Sequence, residues 1–147
     1  MPIERIYFED QNFVLTLIYG KLTNSELSNH VLEMNSEYSG IEGVREVADC
    51  RYINDVSELS GRGLLTSAEL EEGSSRVVHG KGAIVVASEH IYGLARMYAA
   101  IAFRIRDDSR VFYSMGEALQ WMEVEPIQDK IKAEISEEAY RARGLEF

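Results

Sequence analysis

The sequence is poor in cysteine, in proline and in long apolar runs, and each shortage excludes a class of protein. A single cysteine, Cys50, cannot form a disulfide within the chain. With two prolines and no low-complexity segment, the 147 residues contain no evident linker. No apolar run is long enough to span a bilayer, and the first residues carry no signal-peptide pattern. We therefore expect a cytoplasmic protein without integral membrane association.

Basic residues are also scarce. The 15 lysines and arginines face 25 acidic residues, which gives a formal net charge of -10. A protein with this balance repels phosphate backbones and anionic lipid surfaces, so we expect no nucleic-acid partner. The remaining composition is that of an ordinary globular chain, with 46% hydrophobic and 27% charged residues. The length is typical of one domain with a hydrophobic core.

The hydrophobic periodicity predicts an α/β fold built on a mixed sheet of about five strands. A polar turn joins the first two predicted strands into a hairpin, and strands and helices alternate after it. The run 83–87 is apolar on both faces, as in a central strand that helices cover from both sides. Two capping boxes, Thr23 with Glu26 and Ser114 with Glu117, mark helix starts. The predicted strands are 3–8, 13–19, 44–48, 83–87 and 110–113, and the predicted helices begin near residues 23, 60, 88, 114 and 126.

The pair Val124 and Glu125 is the one candidate boundary within the chain. It divides an α/β domain, residues 1–123, from a C-terminal helical extension, residues 124–147. Pro126 suits the first position of a helix, and the apolar residues after it recur at helical spacing. We expect this helix to pack on the domain or on a second subunit.

A helix start rich in glycine, Ser60-Gly61-Arg62-Gly63, follows the strand that ends near Cys50. With the element order β-β-α-β-α-β-α-β-α, roughly residues 3–123 resemble a STAS domain, the fold of anti-sigma-factor antagonists. The segments 20–23, 48–51 and 91–98 resemble its bacterial branch grouped with SEC14-type lipid-binding domains. The resemblance implies a single STAS-like domain with helices packed on the sheet and a C-terminal helix, and a regulatory role in bacteria.

The same resemblance implies phosphorylation of Ser60 by a partner kinase. The chain departs from the family pattern here, because Glu58 and Leu59 precede the serine where the family has an aspartate. A phosphate would be favoured at a helix N-terminus. The alternative is that Ser60 or Ser57 caps the helix. The candidate phosphorylation or anion site comprises Ser60, Ser57, Gly61 and Arg62.

The third predicted helix is apolar on nearly its whole circumference. Its main face comprises Ile91, Leu94, Ala95, Tyr98, Ala99 and Ala102, and a second stripe includes Met97 and Ile101. Three interpretations stay open for the second stripe: burial under Trp121, Met122 and the C-terminal helix, contact with a partner or a second copy in a homodimer, or a pocket for a small apolar or anionic ligand. In the last case Arg96 would contact an anionic group. The candidate ligand or interface residues are Tyr92, Arg96, Met97, Tyr98, Ile101 and Phe103.

No motif pairs a nucleophile with a base, so we assign no catalytic residue, no metal and no cofactor. Thr66 stands where a dinucleotide fingerprint needs its third glycine. Cys50 is expected to be a buried structural thiol, and each histidine a surface residue. The sequence thus favours a non-enzymatic regulatory or protein-interaction module. The alternative is a carrier for a small apolar or anionic ligand, such as a lipid, with a pocket beside the third helix.

Overall fold

The structure, a computed structural model, describes residues 3–38, 40–74, 79–102 and 108–147. Its centre is a five-stranded sheet in which the strands lie side by side in chain order. The first two strands are antiparallel, and every later neighbour is parallel. The predicted mixed sheet of about five strands is therefore confirmed. The strands are β1 (Ile3–Phe8), β2 (Phe13–Lys21), β3 (Arg45–Asp55), β4 (Gly82–Val85) and β5 (Ser109–Phe112).

Helices cover both faces of this sheet. Because the parallel strands follow one another in space as in sequence, right-handed crossovers place the first three helices on one face. The chain then continues after β5 to the other face, where the last three helices pack. The helices are α1 (Asn24–Tyr38), α2 (Gly61–Ser74), α3 (Glu89–Ala102), α4 (Met115–Met122), α5 (Gln128–Ile135) and α6 (Glu137–Ala142).

The alternation of side chains along the central strands supplies both cores. On β4, Ala83 and Val85 join the cluster under α4–α6, whereas Ile84 joins the cluster under α1–α3. On β3, Val47 and Ala48 divide in the same way. The prediction that helices cover this part of the sheet from both sides is confirmed.

The predicted capping box at Thr23 forms with both of its bonds, and Ser114 is the N-cap of α4. The Glu26 backbone N–H donates to the Thr23 hydroxyl over 3.2 Å, and the Thr23 N–H donates to the Glu26 carboxylate over 3.1 Å. At α4, the Glu117 N–H donates to Ser114 Oγ over 3.2 Å. Each bond satisfies an N–H group that a helix start would otherwise leave unpaired.

Two elements differ clearly from the predicted bounds, and a third is described only in part. β3 continues to Asp55 rather than ending near residue 48. The predicted C-terminal helix is divided into a short 3-10 turn, α5 and α6, because Ser136 leaves the helix and caps α6 through the Ala139 N–H over 3.1 Å. α3 is described to Ala102, and its predicted continuation to about residue 106 lies outside the described residues.

The C-terminal helices pack on the sheet of their own chain. Tyr140 of α6 is fully buried, and its hydroxyl donates to Asp49 Oδ2 of β3 over 2.7 Å. Arg143 forms ion pairs with Glu4 of β1 over 2.8 Å and with Glu134 over 2.7 Å. This face is opposite to α3. The interpretation that α3 is buried by the C-terminal helix is therefore wrong, because the last crossover carries the chain to the other side of the sheet.

No helix in the described part of the chain is long and apolar enough to cross a membrane.

Candidate functional site

A cavity lies between the sheet and the three helices α1–α3. The empty space there is about 660 Å³, a volume that includes open solvent at its mouth. A gap in the dense packing of a protein forms where the facing side chains are short. Three small residues contribute to it, because Ala48 and Cys50 of β3 and Ala95 of α3 all line the cavity.

The walls of the cavity are almost entirely apolar. Ile18 and Ile84 contribute from β2 and β4, and Ile91 and Leu94 contribute from α3. Polar groups enter at two places, one near the middle of α1 and one near the end of α2. An apolar enclosure with a few placed polar groups is the usual form of a small-molecule site.

The first polar place is formed by His30 of α1 and Glu46 of β3, which are both buried and both line the cavity. Thr16 donates to Glu46 Oε2 over 2.7 Å. Arg5 Nη1 lies 2.9 Å from His30 Nδ1. A guanidinium can act solely as a donor, so Nδ1 is the acceptor and the ring proton of the neutral imidazole is on Nε2. Burial lowers the pKa of His30 and favours this neutral form.

The guanidinium behind His30 is itself neutralised. Arg5 forms an ion pair with Glu33 and lies 3.6 Å from a carboxylate oxygen of Glu37. These two carboxylates on the outer side of α1 therefore compensate the positive charge of Arg5.

The second polar place is formed by Glu71 of α2 and Tyr98 of α3. Glu71 is buried, and the Tyr98 hydroxyl donates to its Oε2 over 2.8 Å. This bond joins the two helices across the cavity wall.

Cys50 is buried in the cavity wall, in agreement with the expected structural thiol. Burial raises the pKa of the thiol, and the neighbouring Asp49 charge raises it further. The thiol therefore stays protonated and is a poor nucleophile. Asp49 itself belongs to the opposite face of the sheet, where it accepts hydrogen bonds from Arg51 and Tyr140.

Ser60 is the N-cap of α2, which agrees with the capping interpretation. Its Oγ accepts from the Gly63 N–H over 2.9 Å. Asn24, at the start of α1, binds Ser60 twice: Oδ1 accepts from the Ser60 N–H over 3.0 Å, and Nδ2 donates to Oγ over 3.1 Å. A Cβ at position 63 would lie 2.1 Å from Asn24 Oδ1, so the glycine is needed for this close approach.

The other residues of the candidate anion site surround this cap. Gly61 and Arg62 are exposed in the first turn of α2. Ser57 is also exposed, and its N–H donates to Asp55 Oδ1 over 2.9 Å. The structure thus brings the four predicted residues to one end of the sheet, outside the cavity.

Of the candidate residues on α3, Tyr98 lines the cavity. Tyr92 and Ile101 pack against the core under α3, whereas Arg96 and Met97 are exposed. Tyr92 stacks on Tyr113 with ring centroids 4.9 Å apart, and Arg96 donates to the Tyr92 hydroxyl over 3.1 Å. Met97 is 38% exposed. Ile101 is half-buried, and Phe103 lies outside the described residues.

Sequence reasoning missed the polar groups of the cavity. The prediction that every histidine is a surface residue is wrong, because His30 and His79 are buried. A signal was present for His30, which lies three residues after Leu27 and four before Met34 and therefore shares the buried stripe of α1. Glu46 likewise lies between buried positions of one strand.

The structure gives no indication of a metal centre, since no three histidine, cysteine, aspartate or glutamate residues within the described ranges are arranged to hold an ion.

No protein-family model matches the chain, and no curated protein matches it. The features that bear on function are therefore the cavity and the surfaces around it.

Proposed function

We propose that the protein is a non-enzymatic binding protein for a small molecule with a mainly apolar body, which occupies the cavity between the sheet and α1–α3. The apolar lining of this cavity, which a few polar side chains interrupt, is the observation that carries this proposal. Small-molecule sites commonly combine apolar walls with a few polar groups.

Binding is favoured over catalysis by the state of the two reactive side chains in the wall. Cys50 holds its thiol protonated, which argues against a nucleophile. His30 accepts at Nδ1 from Arg5 and carries its proton on Nε2, so neither ring nitrogen is free to act as a general base. A carrier or a ligand-sensing domain needs neither activity.

A fluorescent probe tests the cavity directly. N-phenyl-1-naphthylamine is neutral near pH 7 and becomes bright in apolar sites, so saturable binding by the full chain is expected. Ala95→Leu places extra methyl groups in the cavity and should weaken probe binding by about tenfold, which is about 1.4 kcal/mol. Ala100→Leu, on the exposed side of α3, is the matched control and should bind as the wild type does.

The outcome that contradicts the proposal is probe binding that Ala95→Leu leaves unchanged, since the probe would then occupy another place. Circular dichroism of both variants checks that they are folded. Native and denaturing mass spectra of the purified protein add an independent measurement, because a small molecule that is lost on denaturation would identify a natural occupant.

A second function is favoured by the exposed aromatic and sulphur-containing side chains around α3. Met97 is 38% exposed and Tyr113 is 54% exposed, and exposed apolar patches often mark protein contacts. We propose a homodimer or partner contact here. Sedimentation of the wild type should show self-association that Met97→Glu abolishes, and a wild type that is monomeric at tens of micromolar would contradict self-association.

The proposed phospho-switch at Ser60 is a separate part of this second function. The hydroxyl is exposed at the start of α2, where added negative charge is favoured. Incubation with ATP and lysate from the native host should add one phosphate that Ser60→Ala prevents. Phosphate that never reaches Ser60 would exclude the switch.

A further inference from the structure

We infer that the ligand of the cavity carries a neutral carbonyl group, whose oxygen accepts a hydrogen bond from the Nε2–H of His30. This inference rests on the proposed function and specifies the chemistry of the molecule bound. The observation behind it is a buried ring nitrogen in the cavity wall, which carries a proton and has no hydrogen-bond partner among the described residues.

The proton of the imidazole is fixed on Nε2. Arg5 Nη1 lies 2.9 Å from His30 Nδ1, and a guanidinium has donors only, so Nδ1 accepts. A proton on Nδ1 as well would remove this bond and bring two positive charges into contact. Burial acts in the same direction, because it lowers the pKa of His30 and disfavours the charged ring. The ring is therefore neutral near pH 7 and presents Nε2–H as a donor.

The protein does not itself satisfy this donor. Within the part of the chain that the structure describes, Nδ1 is bound to Arg5 and Nε2 has no hydrogen-bond partner. One ring carbon separates the two nitrogens, so the N–H at Nε2 is directed away from the guanidinium. His30 is 9% exposed and lines the cavity together with Leu27 and Leu64. A buried donor without a partner is unfavourable, and an acceptor on a bound ligand would satisfy it.

A carbonyl oxygen suits this donor better than a charged group does. An ammonium group has three donors and no acceptor, so it cannot accept from Nε2–H. A carboxylate can accept, but a buried charge needs more compensation than one neutral N–H supplies. None of the described residues that line the cavity is a lysine or an arginine, and Arg96 is exposed outside it. A carbonyl accepts without bringing a charge or a further donor between the apolar walls.

The test compares two ligands that share one phenylbutane skeleton. In butyrophenone a carbonyl replaces a single CH2 of n-butylbenzene, and each ligand is titrated against N-phenyl-1-naphthylamine bound to the full chain near neutral pH. His30→Leu keeps an apolar side chain in the wall and removes the N–H. We expect this variant to weaken butyrophenone about fivefold more than n-butylbenzene, because it removes one hydrogen bond. The different hydration of the two ligands cancels, since each is compared with itself in two proteins.

His90→Leu is the matched control. It makes the same exchange at an exposed position of α3 and should leave the affinities for both ligands unchanged.

The wild type provides a second measurement, because His30→Leu also takes the acceptor from Arg5 and could fail to fold. Nitrogen-15 NMR of the histidine-labelled protein should show His30 as the Nε2–H tautomer. Its Nε2 proton should shift more when butyrophenone binds than when n-butylbenzene binds. A tautomer with the proton on Nδ1, or equal shifts with the two ligands, would overturn the inference.

The two proposals fail in different ways. If both neutral ligands displace the probe and His30→Leu weakens them equally, the carbonyl inference is overturned and the cavity remains a binding site. Tighter binding of 4-phenylbutyrate than of butyrophenone to the wild type would also overturn it, in favour of an anionic group. If the probe and all three ligands fail to bind, the proposed function itself is overturned.

Discussion

The hydrogen bond between Tyr140 and Asp49 gives the sharpest prediction about stability. Asp49 is fully buried and accepts from three groups of Arg51 and from the Tyr140 hydroxyl. Tyr140→Phe removes one donor from a buried carboxylate and leaves the ring, so no cavity is created. We expect the free energy of unfolding to fall by about 1.5–3 kcal/mol, the usual range for a hydrogen bond to a charged group.

Urea unfolding followed by far-ultraviolet circular dichroism measures this loss. With a slope of about 1–3 kcal/mol per molar urea, a loss of 2 kcal/mol should lower the midpoint by roughly 1 M and leave the slope unchanged. Tyr19→Phe is the matched control. The Tyr19 hydroxyl donates to Glu4, whose side chain is 42% exposed and also binds Arg143, so its loss should cost about 0.5 kcal/mol. Equal losses in the two variants would refute this reasoning.

The remaining predictions concern the start of α2 and the buried imidazole. Gly63→Ala should destabilise the fold by about 1 kcal/mol in the same urea assay, because the new Cβ displaces the Asn24 side chain from the α2 cap and the higher helix propensity of alanine offsets part of that loss. Gly61→Ala meets open space and should not destabilise the fold. Burial holds the pKa of His30 in the folded protein below its ordinary 6.5. Below about pH 6.5 the unfolded chain therefore binds a proton that the folded protein does not. The free energy of unfolding then falls with the pH, by at most about 1.4 kcal/mol per pH unit. His30→Gln should reduce this loss of stability at low pH, whereas His90→Gln, at an exposed position, should not. Equal dependence of unfolding free energy on pH in the two variants would contradict the burial argument.

Local chemistry explains the parts of the fold that the sequence predicted. The helix caps at Thr23 and Ser114 depend on residues three positions apart, and each hydroxyl accepts the expected backbone N–H bond. The opening hairpin depends on two alternating segments and a polar turn, in which Asn12 adopts a positive φ of 48°. These features need no partner from a distant part of the chain.

Long-range partners explain what the sequence did not predict. The predicted strand ends near Cys50, yet β3 continues to Asp55 and includes the charged Asp49 and Arg51. Their charges are tolerated because they pair with each other and with Tyr140, which is 91 residues away. A partner at this distance cannot be read from hydrophobic periodicity.

The site illustrates the same limit. Helical spacing assigned Ile91, Leu94, Ala95 and Tyr98 to one face of α3, and these four residues line the cavity. Spacing could not show that small side chains on the sheet leave space opposite that face. The spacing of α1 places His30 on the buried stripe, but it could not show that the ring is held by Arg5, 25 residues away on β1.

The most direct test of the central claim is a methyl NMR titration of the isoleucine-labelled full chain with n-decanol, a neutral molecule with an apolar alkyl chain. The two faces of the sheet provide an internal control. Methyl groups of Ile18, Ile84 and Ile91 should shift together and saturate, because they line the cavity. Those of Ile127 and Ile131, in the opposite core, should remain unchanged. Shifts confined to the opposite core, or no saturable shift at all, would contradict the account.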